Sequence, residues 1–118
     1  MDDSSGSPIE ARRAIRERRS VPRYSLIAQA EIVEPGSGVR IAGRISEISS
    51  KGCYVDLLNT LPVGTIVETR VARDQGNFFS RGRIVYAQEG MGMGIAFQET
   101  TPEQQQILDS WIEELRSA

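Results

Sequence analysis

The chain has no histidine and only one cysteine, Cys53, among its 118 residues. Histidine is the commonest general base and metal-binding side chain, so its absence removes the usual parts of a catalytic centre. A lone thiol forms no internal disulfide, and it lacks the partners that zinc or thiol chemistry requires. The sequence therefore argues against an enzyme. We interpret Cys53 as a packed residue in a protein of the reducing cytoplasm.

Long apolar runs and aromatic residues are also scarce. No apolar run approaches the roughly 20 residues of a spanning helix, and residues 1–8 lack the apolar core of a signal peptide, so we expect no membrane insertion. The aromatic residues are one Trp, three Tyr and three Phe. A barrel that binds single-stranded nucleic acid needs exposed aromatic side chains among basic strands. We expect Phe78, Phe97 and Trp111 to be taken up by the core, which disfavours that class.

Positive charge is concentrated near the start of the chain, although the net charge is only -2. Six of the fourteen basic residues fall within twelve positions: Arg12, Arg13, Arg16, Arg18, Arg19 and Arg23. A locally basic segment on an acidic protein suits a small anionic ligand better than long nucleic acid, which usually requires an extended basic surface.

Apolar and polar residues alternate with a period of two from Tyr24 to about Phe97, which is typical of strands with one buried face. In the strand that starts at Phe78, this period predicts Ile84 and Tyr86 on the same face. Thr101 and Pro102 then form a helix start signal ahead of an apolar stripe at helical spacing. We predict an all-β fold, a six-stranded antiparallel β-barrel with a C-terminal α-helix. Residues 1–17 are expected to be a flexible N-terminal arm with a turn or two of helix, and residues 18–118 to be the domain.

Two short segments contain the chemistry of a guanine nucleotide site. The first is Arg19-Ser20-Val21-Pro22-Arg23, in which Pro22 stiffens the backbone between two guanidinium groups. A guanidinium can hold a phosphate with two hydrogen bonds or bind the O6/N7 edge of guanine. The second segment, Glu47-Ile48-Ser49-Ser50-Lys51-Gly52, adds a carboxylate, hydroxyls and a turn in a loop between two predicted strands.

These two segments, in this order and at these strand junctions, resemble the PilZ domain, a bacterial receptor module for cyclic di-GMP. Arg19 and Arg23 match its RxxxR motif, and Ser49 and Gly52 match its [D/N]xSxxG motif. The resemblance covers about residues 18–116 and implies a ligand-binding receptor, with cyclic di-GMP as ligand and no cofactor or metal.

The resemblance implies a role for each matching residue. Arg19 and Arg23 would clamp the phosphates and guanines from the N-terminal arm, Ser49 would hydrogen-bond to the ligand, and Gly52 would permit the turn and close backbone approach. Glu47 departs from the Asp or Asn usual at its position; it can still accept from the N1–H and N2–H₂ edge of guanine, but with altered geometry. In family members an arginine just before the first motif tends to accompany binding of a stacked pair of ligand molecules; Arg18 has this position here, so the resemblance implies that it would cover a second ligand.

The favoured hypothesis is a cytoplasmic receptor whose arm folds over cyclic di-GMP and creates a surface that a protein effector reads. The alternative is a degenerate PilZ-like adaptor that has lost the nucleotide because of Glu47. The third interpretation is the small nucleic-acid-binding barrel described above.

Overall fold

The alternating pattern forms six strands and is followed by one helix in the computed structural model, which describes residues 21–74 and 76–118. The strands are β1 (Tyr24–Glu34), β2 (Val39–Ile48), β3 (Gly52–Asp56), β4 (Ile66–Arg73), β5 (Gly76–Gln88) and β6 (Gly92–Glu99), and the helix is α1 (Pro102–Ser117). Arg18 and Arg19 lie outside the described residues.

The strands close into a barrel in the order β1-β2-β3-β6-β5-β4, and every neighbouring pair is antiparallel. Closure pairs the edges that an open sheet would expose. The predicted six-stranded barrel with a C-terminal helix is therefore confirmed. Antiparallel pairing also places the start of β1, the end of β2 and the start of β3 at one end of the barrel.

The inward faces of all six strands form one apolar core. Its fully buried side chains come from every strand and from α1, and they include Ile32, Ile45, Val55, Val67, Phe78, Met93 and Leu108. Cys53 is also buried, as the sequence predicted.

Helix α1 begins as its sequence predicted and packs against β1 and β5. Thr101 is the N-cap, and its hydroxyl accepts a hydrogen bond from the Gln104 amide at 3.2 Å. Trp111 is 7 % exposed, and its ring lies 6.3 Å from that of Phe78 near the start of β5. The helix therefore covers the end of the barrel at which β1 starts.

The predicted inward orientation of Tyr86 is wrong. A register shift between Ile84 and Tyr86 interrupts the alternation of β5. Ile84 is fully buried, whereas Tyr86 is 44 % exposed on the outer surface. Such a bulge adds one residue to the strand and turns the following side chain to the other face.

Candidate functional site

Strand pairing brings the two predicted motifs together. Tyr24 at the start of β1 is opposite Ile48 at the end of β2, and Ser25 is opposite Glu47. Arg23, one residue before β1, reaches across this pair and forms an ion pair with Glu47, with 3.0 Å between Nη1 and Oε1. Both side chains are partly exposed, at 37 % for Arg23 and 45 % for Glu47. A cation of the first motif therefore contacts a carboxylate of the second.

The turn between β2 and β3 is shaped by the Ser49 side chain. Its Oγ accepts hydrogen bonds from the amides of Lys51 and Gly52, each at 3.1 Å, and the Ser49 amide donates to the Gly52 carbonyl at 2.8 Å. Ser49 is 8 % exposed. Its hydroxyl thus fixes the turn that follows Glu47. Ser and Thr side chains commonly stabilise turns through such local hydrogen bonds to the backbone.

Gly52 is required by its contact with strand β6. A Cβ on Gly52 would lie 2.3 Å from the Ile95 carbonyl oxygen, which is too close for two non-bonded atoms. The Lys51 carbonyl also accepts a hydrogen bond from the Phe97 amide at 2.8 Å. The close approach predicted at Gly52 is therefore one between two strands of the barrel, and it anchors the turn.

A row of outward-facing residues continues from Glu47 across the barrel. Glu47 on β2 is opposite Tyr54 on β3, Tyr54 is opposite Gly94 on β6, and Gly94 is opposite Tyr86 on β5. The two phenol rings are 6.3 Å apart between centroids and tilted by 40°. The outer surface next to Arg23 therefore has a row of four residues, in the order Glu47, Tyr54, Gly94 and Tyr86.

The Tyr54 phenol has an acidic environment. Burial raises the pKa of Tyr54 above its usual value, and three neighbouring groups add to the shift, the Tyr86 phenol and the carboxylates of Asp56 and Glu47. Asp56 itself accepts hydrogen bonds from Arg44 at 3.0 Å and from Ser46 at 3.1 Å. The electrostatic effect of Glu47 on Tyr54 agrees with their opposed positions in the β2–β3 ladder.

The site is an open surface. Two surface clefts of about 490 and 590 Å³ lie beside α1, and neither is lined by any of the candidate residues. A ligand held by Arg23 and Glu47 would thus lie on the outside of the barrel. In the described part of the chain, no group of three or more His, Cys, Asp and Glu side chains is placed to hold a metal ion. Among those same residues, no helix has the length and apolar character to cross a membrane.

The structure brings together four of the residues predicted from the sequence: Arg23, Glu47, Ser49 and Gly52. Sequence reasoning did not include Tyr54 or Tyr86. Tyr54 alternates with buried Cys53 and Val55, a period that places it outside, so its orientation could have been found. The position of Tyr86 depends on the bulge, which the sequence pattern does not reveal.

The sequence pattern of the PilZ domain matches residues 17–114. No curated protein matches the chain in sequence.

Several solved structures share this fold. The PilZ domain of CeSA from a cellulose-synthesizing bacterium is 20 % identical, with a TM-score of 0.64, over 80 % of this chain and 98 % of that one. YcgR from Escherichia coli, solved in complex with cyclic di-GMP, is 18 % identical, with a TM-score of 0.72, over 85 % of this chain and 46 % of that one. The Bacillus subtilis inhibitor of motility MotI is 15 % identical, with a TM-score of 0.69, over 84 % of this chain and 51 % of that one. The chain thus spans about half the length of the last two.

Proposed function

Since this chain belongs to the PilZ domain family, we propose that it binds cyclic di-GMP on the outer surface of its barrel and acts as a receptor rather than an enzyme. One structure with this fold, YcgR, contains that nucleotide. The observation that carries the proposal is the contact between the two motifs, in which Arg23 lies 3.0 Å from Glu47. A ligand that needs both motifs can therefore reach both at once.

The proposed role of Arg23 is to hold a phosphate of the ligand. Its guanidinium is fixed near the start of β1 but remains 37 % exposed, so an anion can approach it. A guanidinium binds phosphate through two parallel hydrogen bonds, which gives direction as well as attraction. In this proposal Arg19 completes the clamp, and Arg18 covers a second, stacked ligand molecule; both residues lie outside the described part of the chain.

The proposed role of Glu47 is to accept hydrogen bonds from the N1–H and N2–H₂ edge of guanine. Its carboxylate is 45 % exposed and next to Arg23, so ligand binding exchanges their ion pair for a phosphate on one side and a base on the other. Ser49 and Gly52 support this exchange by holding the turn and by packing it against β6.

Signalling in this proposal depends on the segment before Tyr24. The arm closes over the ligand when its arginines engage the phosphates, and an effector protein in the bacterial cytoplasm reads the new surface. Ligand binding should then slow amide hydrogen exchange in the segment before Tyr24. Unchanged exchange in that segment with bound ligand would reject arm closure while leaving binding intact.

Calorimetric titration with cyclic di-GMP tests the binding proposal. The Arg19→Ala, Arg23→Ala double variant should bind far more weakly than the wild type, because each lost charged hydrogen bond costs about 1.5–3 kcal/mol, or roughly 10- to 150-fold in affinity. Arg40→Ala is the matched control, since Arg40 also forms an exposed 3.0 Å ion pair, with Glu31, elsewhere on the barrel. Equal heats from the wild type and the double variant would reject the clamp.

A second candidate function is a protein-interaction adaptor that does not bind the nucleotide. The observation that favours it is the Arg23–Glu47 ion pair, in which each proposed ligand group already has a partner. This candidate predicts no binding heat for the wild type at any ligand concentration that saturates the Glu47→Asp variant.

A further inference from the structure

We propose that Tyr54 and Tyr86 form an aromatic platform on which a guanine base of the ligand stacks, an inference that rests on the proposed function. Neither tyrosine belongs to the two motifs. Both lie on the outer surface of the barrel, on strands β3 and β5, and they flank the same residue of β6, Gly94.

The glycine row on β6 leaves the two rings accessible. Gly94 is opposite both tyrosines and Gly92 is the next outward residue of β6, so neither position places a side chain against the rings. A Cβ on Gly92 would be 2.8 Å from both Cε2 and Oη of Tyr54, so the Tyr54 ring lies directly over this glycine. The Tyr54 ring is thus packed on the β6 backbone and Tyr54 is half-buried, whereas Tyr86 is 44 % exposed, so a flat ligand group would approach both rings from the solvent side.

Both rings are held in place before any ligand arrives. Gly92 supports Tyr54 from below, and the Tyr86 hydroxyl donates a hydrogen bond to Gln88 Oε1 at 2.7 Å. A side chain that is already ordered loses less conformational entropy on binding. Nucleotide-binding proteins commonly combine such a surface with cationic groups: the bases stack on the aromatic side chains, and the cations hold the phosphates.

The spacing of the rings decides how a base can bind. A base inserted between two parallel rings needs about 7 Å between them, since stacked atoms lie at about 3.5 Å. The centroids of Tyr54 and Tyr86 are 6.3 Å apart and the rings are tilted by 40°. In this proposal the base therefore lies on an outward ring face, and not between the two rings.

Position along the outer row selects the kind of base. Glu47 is opposite Tyr54 in the β2–β3 ladder, so a base on Tyr54 has a carboxylate at its edge. Guanine presents two adjacent donors, N1–H and N2–H₂, to such an acceptor. The platform supplies stacking, and Glu47 supplies the discrimination in favour of guanine.

Leucine substitutions test the platform. Tyr54→Leu and Tyr86→Leu keep an apolar side chain but remove the flat surface, and each should weaken cyclic di-GMP binding about 5- to 100-fold by calorimetry. Tyr54→Phe keeps the ring and should lose less affinity than Tyr54→Leu. Phe79→Leu is the matched control, because Phe79 is an aromatic residue 38 % exposed on β5 beyond this row. Its affinity should equal that of the wild type.

A spectroscopic measurement separates stacking from general damage to the site. In the wild-type complex the guanine H8 resonance should move upfield through the ring current of the tyrosines, and this shift should shrink in both leucine variants. Wild-type affinity in both leucine variants, or an unshifted H8 resonance in the wild-type complex, would overturn the platform while the proposed function stands. A wild type that binds no cyclic di-GMP would overturn both.

Discussion

Arg23 and Glu47, which are 24 positions apart in the chain, form an ion pair with 3.0 Å between Nη1 and Oε1. The pair joins the residue before β1 to the end of β2, and each partner is also a proposed ligand group. An exposed ion pair of this kind stabilises a protein by about 0–1 kcal/mol. If cyclic di-GMP binds as proposed, it replaces this ion pair, which then competes with binding by up to about fivefold in affinity.

The first prediction concerns the length of the side chain at position 47. Glu47→Asp draws the carboxylate back by one methylene, which frees Arg23 and provides the residue usual in PilZ domains. Affinity for cyclic di-GMP should rise a few-fold, and about fivefold if the full energy of the ion pair is released. Calorimetric titration measures the change.

The control for this variant is Glu31→Asp. Glu31 forms an ion pair with Arg40 that is also 3.0 Å long, and the substitution shortens its side chain by the same methylene. That pair lies away from the site, so the affinity of the Glu31→Asp variant for cyclic di-GMP should equal that of the wild type. An unchanged or lower affinity for Glu47→Asp would show that Glu47 does not compete for Arg23.

The second prediction concerns the contact of Gly52 with β6. Gly52→Ala should lower the free energy of unfolding by about 1–3 kcal/mol or more, because its Cβ would be 2.3 Å from the Ile95 carbonyl oxygen and rigid backbone must move. Gly76→Ala is the control, since a Cβ there meets no atom of the described residues within 4 Å. Chemical denaturation measures both variants. Equal stability of the two variants would contradict the conclusion that Gly52 is required for close packing against β6.

The fold could be predicted because its signals are local. The alternation of Leu26, Ala28, Ala30 and Ile32 reports the buried face of β1 within seven residues, and all four are buried. The Thr101 cap lies directly before its helix. Periodicity and capping depend on neighbours in the chain, so they can be interpreted without knowing which strands pair.

The geometry of the site depends on register and could be predicted only in part. The motifs identified Arg23 and Glu47, but their ion pair follows from the pairing of Ser25 with Glu47 across two strands. The outward position of Tyr86 follows from a bulge in β5. No local pattern reports these features, because a shift of one residue in pairing moves every side chain to the other face.

The third prediction concerns a hydroxyl inside the barrel. Thr69 is fully buried, and its Oγ1 has no hydrogen-bond partner among the described residues. Thr69→Val should raise the free energy of unfolding by about 1 kcal/mol, because a buried hydroxyl without a partner costs about 1–3 kcal/mol. Thermal unfolding should show a higher midpoint.

The comparison for this variant is Ser80, which is opposite Thr69 in the β4–β5 ladder and equally buried. The Ser80 hydroxyl has partners, including Thr100 Oγ1 at 2.7 Å. Ser80→Ala should therefore lower the midpoint where Thr69→Val raises it. A lower midpoint for both would mean that the Thr69 hydroxyl is satisfied in solution.

The fourth prediction concerns the pH dependence of stability. Burial raises the pKa of the Cys53 thiol from 9.0 to about 12. Above pH 9.0 the unfolded chain loses this proton while the folded chain keeps it. The unfolded state then binds fewer protons, so stability falls as pH rises, with a slope that approaches about 1.4 kcal/mol per pH unit.

Chemical denaturation of the wild type and Cys53→Ala at about pH 8 and about pH 10.5 measures this contribution. The alanine variant loses some core packing at both pH values, but its stability should fall less between them. The same burial should protect Cys53 from a thiol reagent in the folded chain, so labelling should proceed only as fast as the protein opens. Equal pH dependence of the two proteins, together with rapid labelling under native conditions, would show that the thiol of β3 is open to solvent.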